Sequence, residues 1–276
     1  MKGYFGRYLD VSLSDGSIGD YPIPEEWSEK FLGGRGVGAR IMWEELEQGV
    51  DPLGPENIMV FATGPLQGLN ISGAGRHLVM SKSPKTNSVN GSYVGGFLGQ
   101  ELGRSGYDGI IIRGSASTPK YLVVKDGKAE LKDADDLWGL ETAEFEYSIQ
   151  EKEGDVRVAS IGKAGENLIN YSCVIFDRNR AAGRPGFGAV LGSKKLKGIA
   201  VKGDKEKEVA SPDKLKEVKG KFARKLAEEK ADDLGKYGTA GGVQGLSEKG
   251  ILPTKNFQQG EFSDAVEISG ETMADT

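Results

Sequence analysis

The chain has 276 residues, 37% of them hydrophobic, and a formal net charge of -5 at pH 7. It is long enough to bury a sizeable core, and its acidic balance predicts no nucleic-acid partner. The single cysteine and single histidine exclude an internal disulfide framework and a zinc or iron–sulfur centre held by this chain alone. A secretory leader and an apolar run of membrane-spanning length are not indicated, so we expect a cytoplasmic protein without a membrane partner.

Short β-type runs alternate with glycine turns over the first two hundred residues. Strands are predicted at 4–13, 57–64, 75–83, 109–114, 120–131, 156–162, 167–177 and 196–203. Helices are predicted at 25–47, 95–105 and 140–152. Because strands dominate and no regular βαβ alternation is present, the pattern indicates an α+β fold.

A charged stretch around 202–211 lacks periodic apolar positions and is typical of a linker. The segment 211–230 that follows begins with a serine N-cap and a proline, which predicts a helix. One face of this helix carries Leu215, Val218, Phe222 and Leu226. We therefore predict a first domain at 1–210 and a helical domain beginning at 211–276. The few apolar residues of 211–276 favour an incomplete domain, so we expect a longer parent protein.

An internal repeat relates 95–114 to 186–203, because each has a glycine-opened helix, a basic end, a turn and a short apolar strand. A Gly-Arg pair precedes each copy, and a Ser-Lys pair accompanies each. The paired residues are Gly75 with Arg76, Gly183 with Arg184, Ser81 with Lys82, and Ser193 with Lys194. Two similar units predict a ligand with two similar anionic halves.

Glycine turns that open helices aim backbone N–H groups at one point, where a phosphate is favoured. Arg180 and Arg184 add planar forks that pair with phosphate or with the edge of a heterocycle. The alternative for each single loop is an ordinary turn with a solvated basic face. A dinucleotide fold is disfavoured, because 34–40 and 183–192 lack the G-x-G-x-x-G spacing within a βαβ unit.

Groups that could perform catalysis are scarce. His77 lies in an alternating strand and is predicted to be a buried polar residue, and Cys173 is predicted to be a small core residue. Neither a nucleophilic triad nor a protein-held metal site can be assembled from the motifs. We predict no catalytic residue in this chain, and any redox chemistry would have to come from a cofactor.

Several long motifs carry a resemblance to a known family. They are MKGYFGRYLDVSLSDGSI, ENIMVFATGPLQG, GAGRHLVMSKSP, YVGGFLGQELGRSGYDGIIIRG, SIGKAGENLINYSCVIFDRNRAAGRPGFGAVLGSKKLKGIAVKG and KYGTAGGVQGLSEKGILPTKNFQQG. From about residue 3 to its end, the chain resembles the N-terminal part of the tungsten-containing aldehyde:ferredoxin oxidoreductases. The resemblance implies an N-terminal domain of two sheets. This domain forms the base for a bis-pterin cofactor of tungsten or molybdenum, and two largely helical domains cover it.

The resemblance also assigns residues to the cofactor. Arg76 and Gly95 match positions beside one pterin, and the second pterin segment is matched by Arg180, Ala181, Gly183 and Arg184. The main-chain carbonyls of Tyr93 and Ala181 match ligands of a magnesium ion that bridges the two pterin phosphates. Tyr93 departs from the asparagine frequent in relatives, and Pro185 departs from the commoner glycine, which fixes φ in that turn.

The activity implied by the resemblance is oxidation of a small aldehyde to a carboxylic acid, with electrons passed to ferredoxin through a [4Fe–4S] cluster. Family members hold that cluster with four cysteines in later domains, beyond the segment that matches this chain. We therefore expect this chain to be inactive alone and to bind no cofactor. A homodimer is common among relatives. Two alternatives stay open: a reductive member such as the tungsten subunit of benzoyl-CoA reductase, and a non-catalytic pterin- or nucleotide-binding module.

Overall fold

A computed structural model describes residues 1–125, 127–229 and 233–276. It divides into two compact units, Met1–Ala210 and Ser211–Thr276. Asp126, within the predicted strand 120–131, and Lys230, at the end of the predicted helix 211–230, lie outside the described residues.

The first unit contains two six-stranded sheets. The first sheet is made of β1 (Arg7–Ser12), β2 (Ile18–Pro22), β3 (Met59–Ala62), β4 (His77–Lys82), β5 (Val89–Val94) and β6 (Gly109–Arg113). The second is made of β7 (Lys120–Lys125), β8 (Lys128–Asp133), β9 (Arg157–Ser160), β10 (Val174–Phe176), β11 (Arg180–Ala182) and β12 (Leu196–Lys202). The helices of this unit are α1 (Glu25–Phe31), α2 (Arg35–Glu45), α3 (Leu98–Leu102), α4 (Thr142–Glu153), α5 (Lys163–Glu166) and α6 (Phe187–Ser193). The two-sheet α+β prediction is confirmed.

The second sheet repeats the first, strand for strand. The first sheet has the order β2-β1-β6-β3-β4-β5, and the second, written in the same direction, has the order β8-β7-β12-β9-β10-β11. In each sheet the first and last strands in sequence pair in parallel, and all other pairs are antiparallel. The predicted pseudo-repeat is thus the last helix and the last strand of a unit that extends over six strands.

The topology corrects one part of the repeat. Gly75 and Arg76 precede β4, whereas Gly183 and Arg184 follow β11, so the two Gly-Arg pairs are not equivalent. The equivalent turns are Gly95–Gly96 after β5 and the turn 183–186 after β11. Strand order determines which turns of the two halves are equivalent. A match of two residues in a glycine-rich sequence is too short to do so.

The two sheets pack face to face, and helices cover their outer faces. Strands of both sheets contribute to one central apolar cluster, with Val79 and Ile112 from the first sheet and Phe176 and Ile199 from the second. On the far side of the first sheet, α1 and α2 bury Trp27, Ile41 and Met42 against Val60, Leu78 and Ile111. On the far side of the second, α4 buries Phe145 and Ile149 against Tyr121, Val123 and Val158. Strands buried on both faces explain their nearly continuous apolar runs.

Several elements differ from their prediction. The predicted helix 25–47 is two helices, because Leu32 and Gly33 adopt positive φ of 61° and 131° and end the first one. The predicted strand 167–177 contains only β10, which is preceded by α5 and a loop. The prediction missed β2, β5 and β11, which are edge strands. Their mostly polar, partly exposed residues carry no continuous apolar signal.

The described α-helices of the second unit are one of 18 residues and three of five or six residues. These are α7 (Pro212–Glu229), α8 (Asp233–Tyr237), α9 (Val243–Glu248) and α10 (Gly270–Asp275). Within the described residues, the helices lack the combination of length and apolarity that crossing a bilayer requires.

Candidate functional site

A cleft lies where the edge strands of the two sheets, β5 and β11, contact each other. Its volume is about 640 Å³. The residues that line it come from the β4–β5 hairpin and from the turn after β11: Lys85, Thr86, Asn90, Gly91, Ser92, Tyr93, Ala181, Gly183, Arg184 and Pro185. Four residues predicted from the sequence as cofactor contacts, Tyr93, Ala181, Gly183 and Arg184, are therefore brought together.

The remaining predicted residues adjoin one end of this region. A Cβ atom placed on Gly96 would lie 3.4 Å from Cγ of Arg180, so the side chain of Arg180 crosses the turn that contains Gly95. A Cβ placed on Gly75 would lie 3.4 Å from the carbonyl oxygen of Gly96, which places the exposed Arg76 beside the same turn. The segments that contain the predicted cofactor contacts thus meet at one junction between the two sheets.

The chemistry of the cleft favours an anion. Its lining contains no aspartate or glutamate among the described residues. Lys85 and Arg184 are exposed, and no hydrogen bond or ion pair to a described residue occupies their cationic groups. Edge strands also leave alternate main-chain N–H and C=O groups unpaired by their sheet. The cleft therefore combines free cations for phosphate with main-chain oxygens for a hard cation such as magnesium.

The turn at Gly96 depends on glycine and on one carboxylate. Gly96 has a φ of 99°, and a Cβ there would lie 2.3 Å from Oδ2 of Asp177. The same oxygen accepts hydrogen bonds from the N–H of Phe97 at 2.5 Å and of Leu98 at 3.3 Å. The hypothesis that this turn offers free N–H groups to a phosphate is therefore wrong at α3, because a carboxylate already caps it.

Asp177 belongs to the tight turn between β10 and β11, so it joins the second sheet to the turn that follows the first. Its Oδ1 is buried and finds no hydrogen-bond partner among the described residues. Nearby, Nε of Arg178 lies 3.4 Å from Oε1 of the buried Glu146. Burial raises the pKa of the Glu146 carboxyl above its usual range, although Arg178 opposes the shift. Arg178 also donates to the Tyr147 hydroxyl at 2.8 Å, so the hairpin is fixed on α4.

His77 is buried in the core, as predicted, whereas the prediction of a core position for Cys173 is wrong, because its side chain is only partly buried. His77 is buried with neither ring nitrogen bonded among the described residues, and its ring meets that of Phe176 edge-on at 4.8 Å. Burial lowers the pKa of His77 to about 4, so the ring is neutral near pH 7. Cys173 is half-buried, and burial raises the pKa of its thiol. Neither side chain is among those that line the cleft.

The structure adds four residues that sequence reasoning missed. Lys85 lies at the tip of the β4–β5 hairpin, and Ser83 ties that tip to the turn after β11 by donating to the Pro185 carbonyl at 2.6 Å. Asp177 holds the Gly96 turn, and the guanidinium of Arg35 lies 4.8 Å from the ring centre of Tyr93. The sequence signal for Arg35 is its position in the glycine-rich segment GRGVGAR.

The fold and the cleft define a class of protein: a duplicated α+β domain whose two sheets offer a basic cleft, between edge strands, to an anionic ligand. Among the described residues, no three His, Cys, Asp or Glu side chains converge in a metal-binding group.

Comparison with known proteins identifies the family. The sequence profile of "Aldehyde ferredoxin oxidoreductase, N-terminal domain" matches residues 8–203, and that of "Aldehyde ferredoxin oxidoreductase, domains 2 & 3" matches residues 217–276. The chain belongs to the aldehyde ferredoxin oxidoreductase family.

Individual relatives agree with this assignment. A tungsten-containing aldehyde ferredoxin oxidoreductase of Pyrococcus abyssi is 45% identical over 99% of this chain and 46% of its own length. The aliphatic sulfonate oxidoreductase, WOR-like subunit, of Pyrococcus furiosus is 36% identical over 98% of this chain and 45% of its own. Among solved structures, the active site complex BamBC of benzoyl coenzyme A reductase with 1,5 dienoyl-CoA has a TM-score of 0.85 and 31% identity, covering 99% of this chain and 44% of that one. This chain thus spans about half the length of the relatives it matches.

Proposed function

We propose that this chain is the N-terminal, tungstopterin-binding part of an aldehyde:ferredoxin oxidoreductase. The parent protein would convert an aldehyde and water to a carboxylic acid, two protons and two electrons, and the electrons would pass singly to ferredoxin. The observation that carries the proposal is the cleft between β5 and β11, where free cations and edge-strand oxygens adjoin and no carboxylate lines the wall. The 45% identity to a tungsten-containing enzyme supports it.

The cleft residues fit such a cofactor. Arg184 would pair with one pterin phosphate and Arg180 with the neighbouring ring edge, and Arg76 would serve the other pterin. Tyr93 and Ala181 lie on the two edge strands that contact each other, and their main-chain carbonyls would be the ligands of the magnesium ion. Tungsten, when bound through the two pterins, would supply the two-electron oxidation of the substrate. The residues of this chain bind and orient the cofactor, and none is assigned a proton-transfer role.

Other parts of the parent protein would complete the enzyme. A [4Fe–4S] cluster needs four thiolates, and this chain has one cysteine, so residues outside this chain would hold the cluster. The chain alone is expected to be inactive and to retain no cofactor. We also propose a cytoplasmic homodimer, following the family resemblance.

The test uses the full-length protein of the native reading frame, produced anaerobically with tungstate. We expect tungsten in the purified protein and aldehyde-dependent reduction of benzyl viologen and ferredoxin. Arg76→Lys and Arg184→Lys should each lower the tungsten and pterin content, because a point charge replaces a planar fork. The exposed Arg224→Lys of α7 is the matched control. Tungsten-loaded protein that reduces neither acceptor with any aldehyde would overturn the proposed reaction, and unchanged metal content in both variants would overturn the residue assignment.

A reductive reaction is the second candidate, and the similarity to BamBC favours it. The same full-length preparation separates the two. Under strongly reducing conditions, conversion of benzoyl-CoA to a dienoyl-CoA without aldehyde-dependent viologen reduction would select the reductive reaction.

A further inference from the structure

The side chain of Arg35 lies at the β5 side of the cleft. It is the first residue of α2 and is exposed, and its guanidinium lies 4.8 Å from the centre of the Tyr93 ring. A Cβ atom placed on Gly91, which lines the cleft, would lie 3.9 Å from Nε of Arg35. The cation is thus held against the two alternate residues of β5 that share one face of the strand.

Stacking positions this arginine without using its donors. A cation–π contact engages the face of the guanidinium and leaves its five N–H groups, which lie in the plane, available. No hydrogen bond or ion pair to a described residue takes them up. By contrast, Arg40 of the same helix pairs with Glu44, and Arg113 pairs with Asp10 and Glu45. Arg35 is therefore a preorganised cation whose donors lack a partner at the edge of an anion-binding cleft.

Arg35 adjoins the lining residues Gly91 and Tyr93, and the cleft contains other groups suited to an anion. Tyr93 is 45% exposed, and Lys85 and Arg184 stand on the same cleft with no acidic neighbour in its lining. The cations of Arg35, Lys85 and Arg184 repel one another. This electrostatic free energy is offset when a multiply charged anion binds near them.

We infer that Arg35, held by the ring of Tyr93, is a further binding residue for the phosphate groups of the cleft ligand. It comes from α2, outside both segments that the family resemblance assigns to the pterins. The inference rests on the proposed function for the identity of the ligand, a phosphorylated pterin cofactor. It assigns the Tyr93 side chain a role of its own, namely to orient Arg35, separate from the role proposed for the Tyr93 carbonyl.

Isothermal titration of the 276-residue chain with pyrophosphate tests this. Arg35→Gln should weaken binding about tenfold, the effect of losing one charge-assisted hydrogen-bonding group. Arg35→Lys should give an intermediate loss, because it retains the charge and loses the fork. Tyr93→Phe should bind pyrophosphate as tightly as the unsubstituted chain does, because the ring is kept. Tyr93→Ala should bind nearly as weakly as Arg35→Gln. Arg224→Gln, which removes the same charge from exposed α7, is the matched control.

Two outcomes would overturn the inference. One is failure of the unsubstituted 276-residue chain to bind pyrophosphate. The other is an Arg35→Gln variant that binds like Arg224→Gln while Arg184→Gln binds more weakly, since the cleft would then take the anion without Arg35. Neither outcome depends on aldehyde oxidation. The viologen assay of the full-length protein therefore tests the proposed function separately. Because Arg35 is exposed, loss of folding is not expected, and far-UV circular dichroism of each variant verifies this.

Discussion

At the scale of single residues, His77 shows how closely the two halves of the first unit are packed. Its ring lies beneath α3, where a Cβ on Gly99 would come within 2.7 Å of Nδ1. On its other side the ring meets Phe176 of the second sheet. A polar ring is therefore buried in the central cluster, adjacent to the predicted cofactor contact Arg76, with both nitrogens desolvated.

Protonation of His77 should destabilise the fold at acidic pH. Its pKa falls from an ordinary 6.5 to about 4 on folding, since burial disfavours the charged ring. The unfolded chain therefore takes up the proton first, so stability is retained above pH 6.5 and decreases as the pH falls toward 4. At pH 5 this single group should cost about 2 kcal/mol of unfolding free energy.

Urea unfolding at pH 7 and pH 5, followed by tryptophan fluorescence, measures the effect. Trp27, Trp43 and Trp138 all belong to the first unit, so the signal reports on that unit alone. His77→Leu should lose about 2 kcal/mol less than the parent chain between the two pH values. Equal losses in both proteins would show that His77 is not the group responsible.

At the scale of elements, the junction between the two halves is a contact between turns. Asp177 of the β10–β11 hairpin accepts a hydrogen bond at the N-terminus of α3, and Ser83 of the β4–β5 hairpin donates one to the turn before α6. Each half of the duplicated domain thus fixes a turn of the other half. These two contacts set the distance between the segments that are proposed to hold the two pterins.

Neighbouring glycines allow a matched test of this junction. Gly96→Ala should lower the stability of the first unit by about 2 to 3 kcal/mol, because alanine is strained at positive φ and its Cβ would displace the Asp177 cap. Gly95→Ala should change it by less than about 0.5 kcal/mol, because a Cβ there meets no atom within 4 Å. Urea unfolding followed by tryptophan fluorescence compares them.

A double variant identifies the cause. If the Asp177 contact is responsible, Gly96→Ala combined with Asp177→Ala should cost less than the sum of the single variants, since both remove one interaction. Strictly additive losses, or equal losses from Gly95→Ala and Gly96→Ala, would contradict the assignment.

At the scale of the whole molecule, the charged segment predicted as a linker is anchored to the first unit. Lys207 is buried, and its Nζ lies 3.5 Å from Oδ1 of Asp108. The Glu208 carbonyl accepts a hydrogen bond from the N–H of Gly3 at 2.7 Å. Burial lowers the pKa of Lys207, and Asp108 opposes that shift. We propose that 1–210 and 211–276 are separate domains, with the segment after β12 serving as part of the first.

Two shortened chains test this boundary. A chain ending at residue 210 should unfold, by tryptophan fluorescence, at the same urea concentration as the 276-residue chain. A chain ending at residue 203, where the N-terminal family match stops, should be less stable by about 3 kcal/mol. The reason is that removal of Lys207 leaves the buried Asp108 without its cation. Lys207→Met in the chain ending at residue 210 should reproduce most of this loss of stability. Equal midpoints for the two shortened chains would contradict the boundary.

The sequence alone determined the α+β class, the family and four of the residues that line the cleft: Tyr93, Ala181, Gly183 and Arg184. Apolar runs such as GIIIRG and GIAVKG are local signals, because a strand buried on both faces must be apolar throughout. The glycine and arginine motifs are equally local, and they point to Gly95, Arg180 and Arg184 from the sequence alone.

Only the tertiary structure decided how these segments meet. It showed that six strands are duplicated, that the two Gly-Arg pairs are not equivalent, and that Asp177 already caps α3. It also placed Lys85 in the cleft and Arg35 against the ring of Tyr93, although Arg35 lies 58 residues before Tyr93 in the chain. Edge strands are polar and carry no hydrophobic period, and contacts between distant turns leave no local pattern. The cleft is built from both, so its geometry follows from the packing of the two sheets.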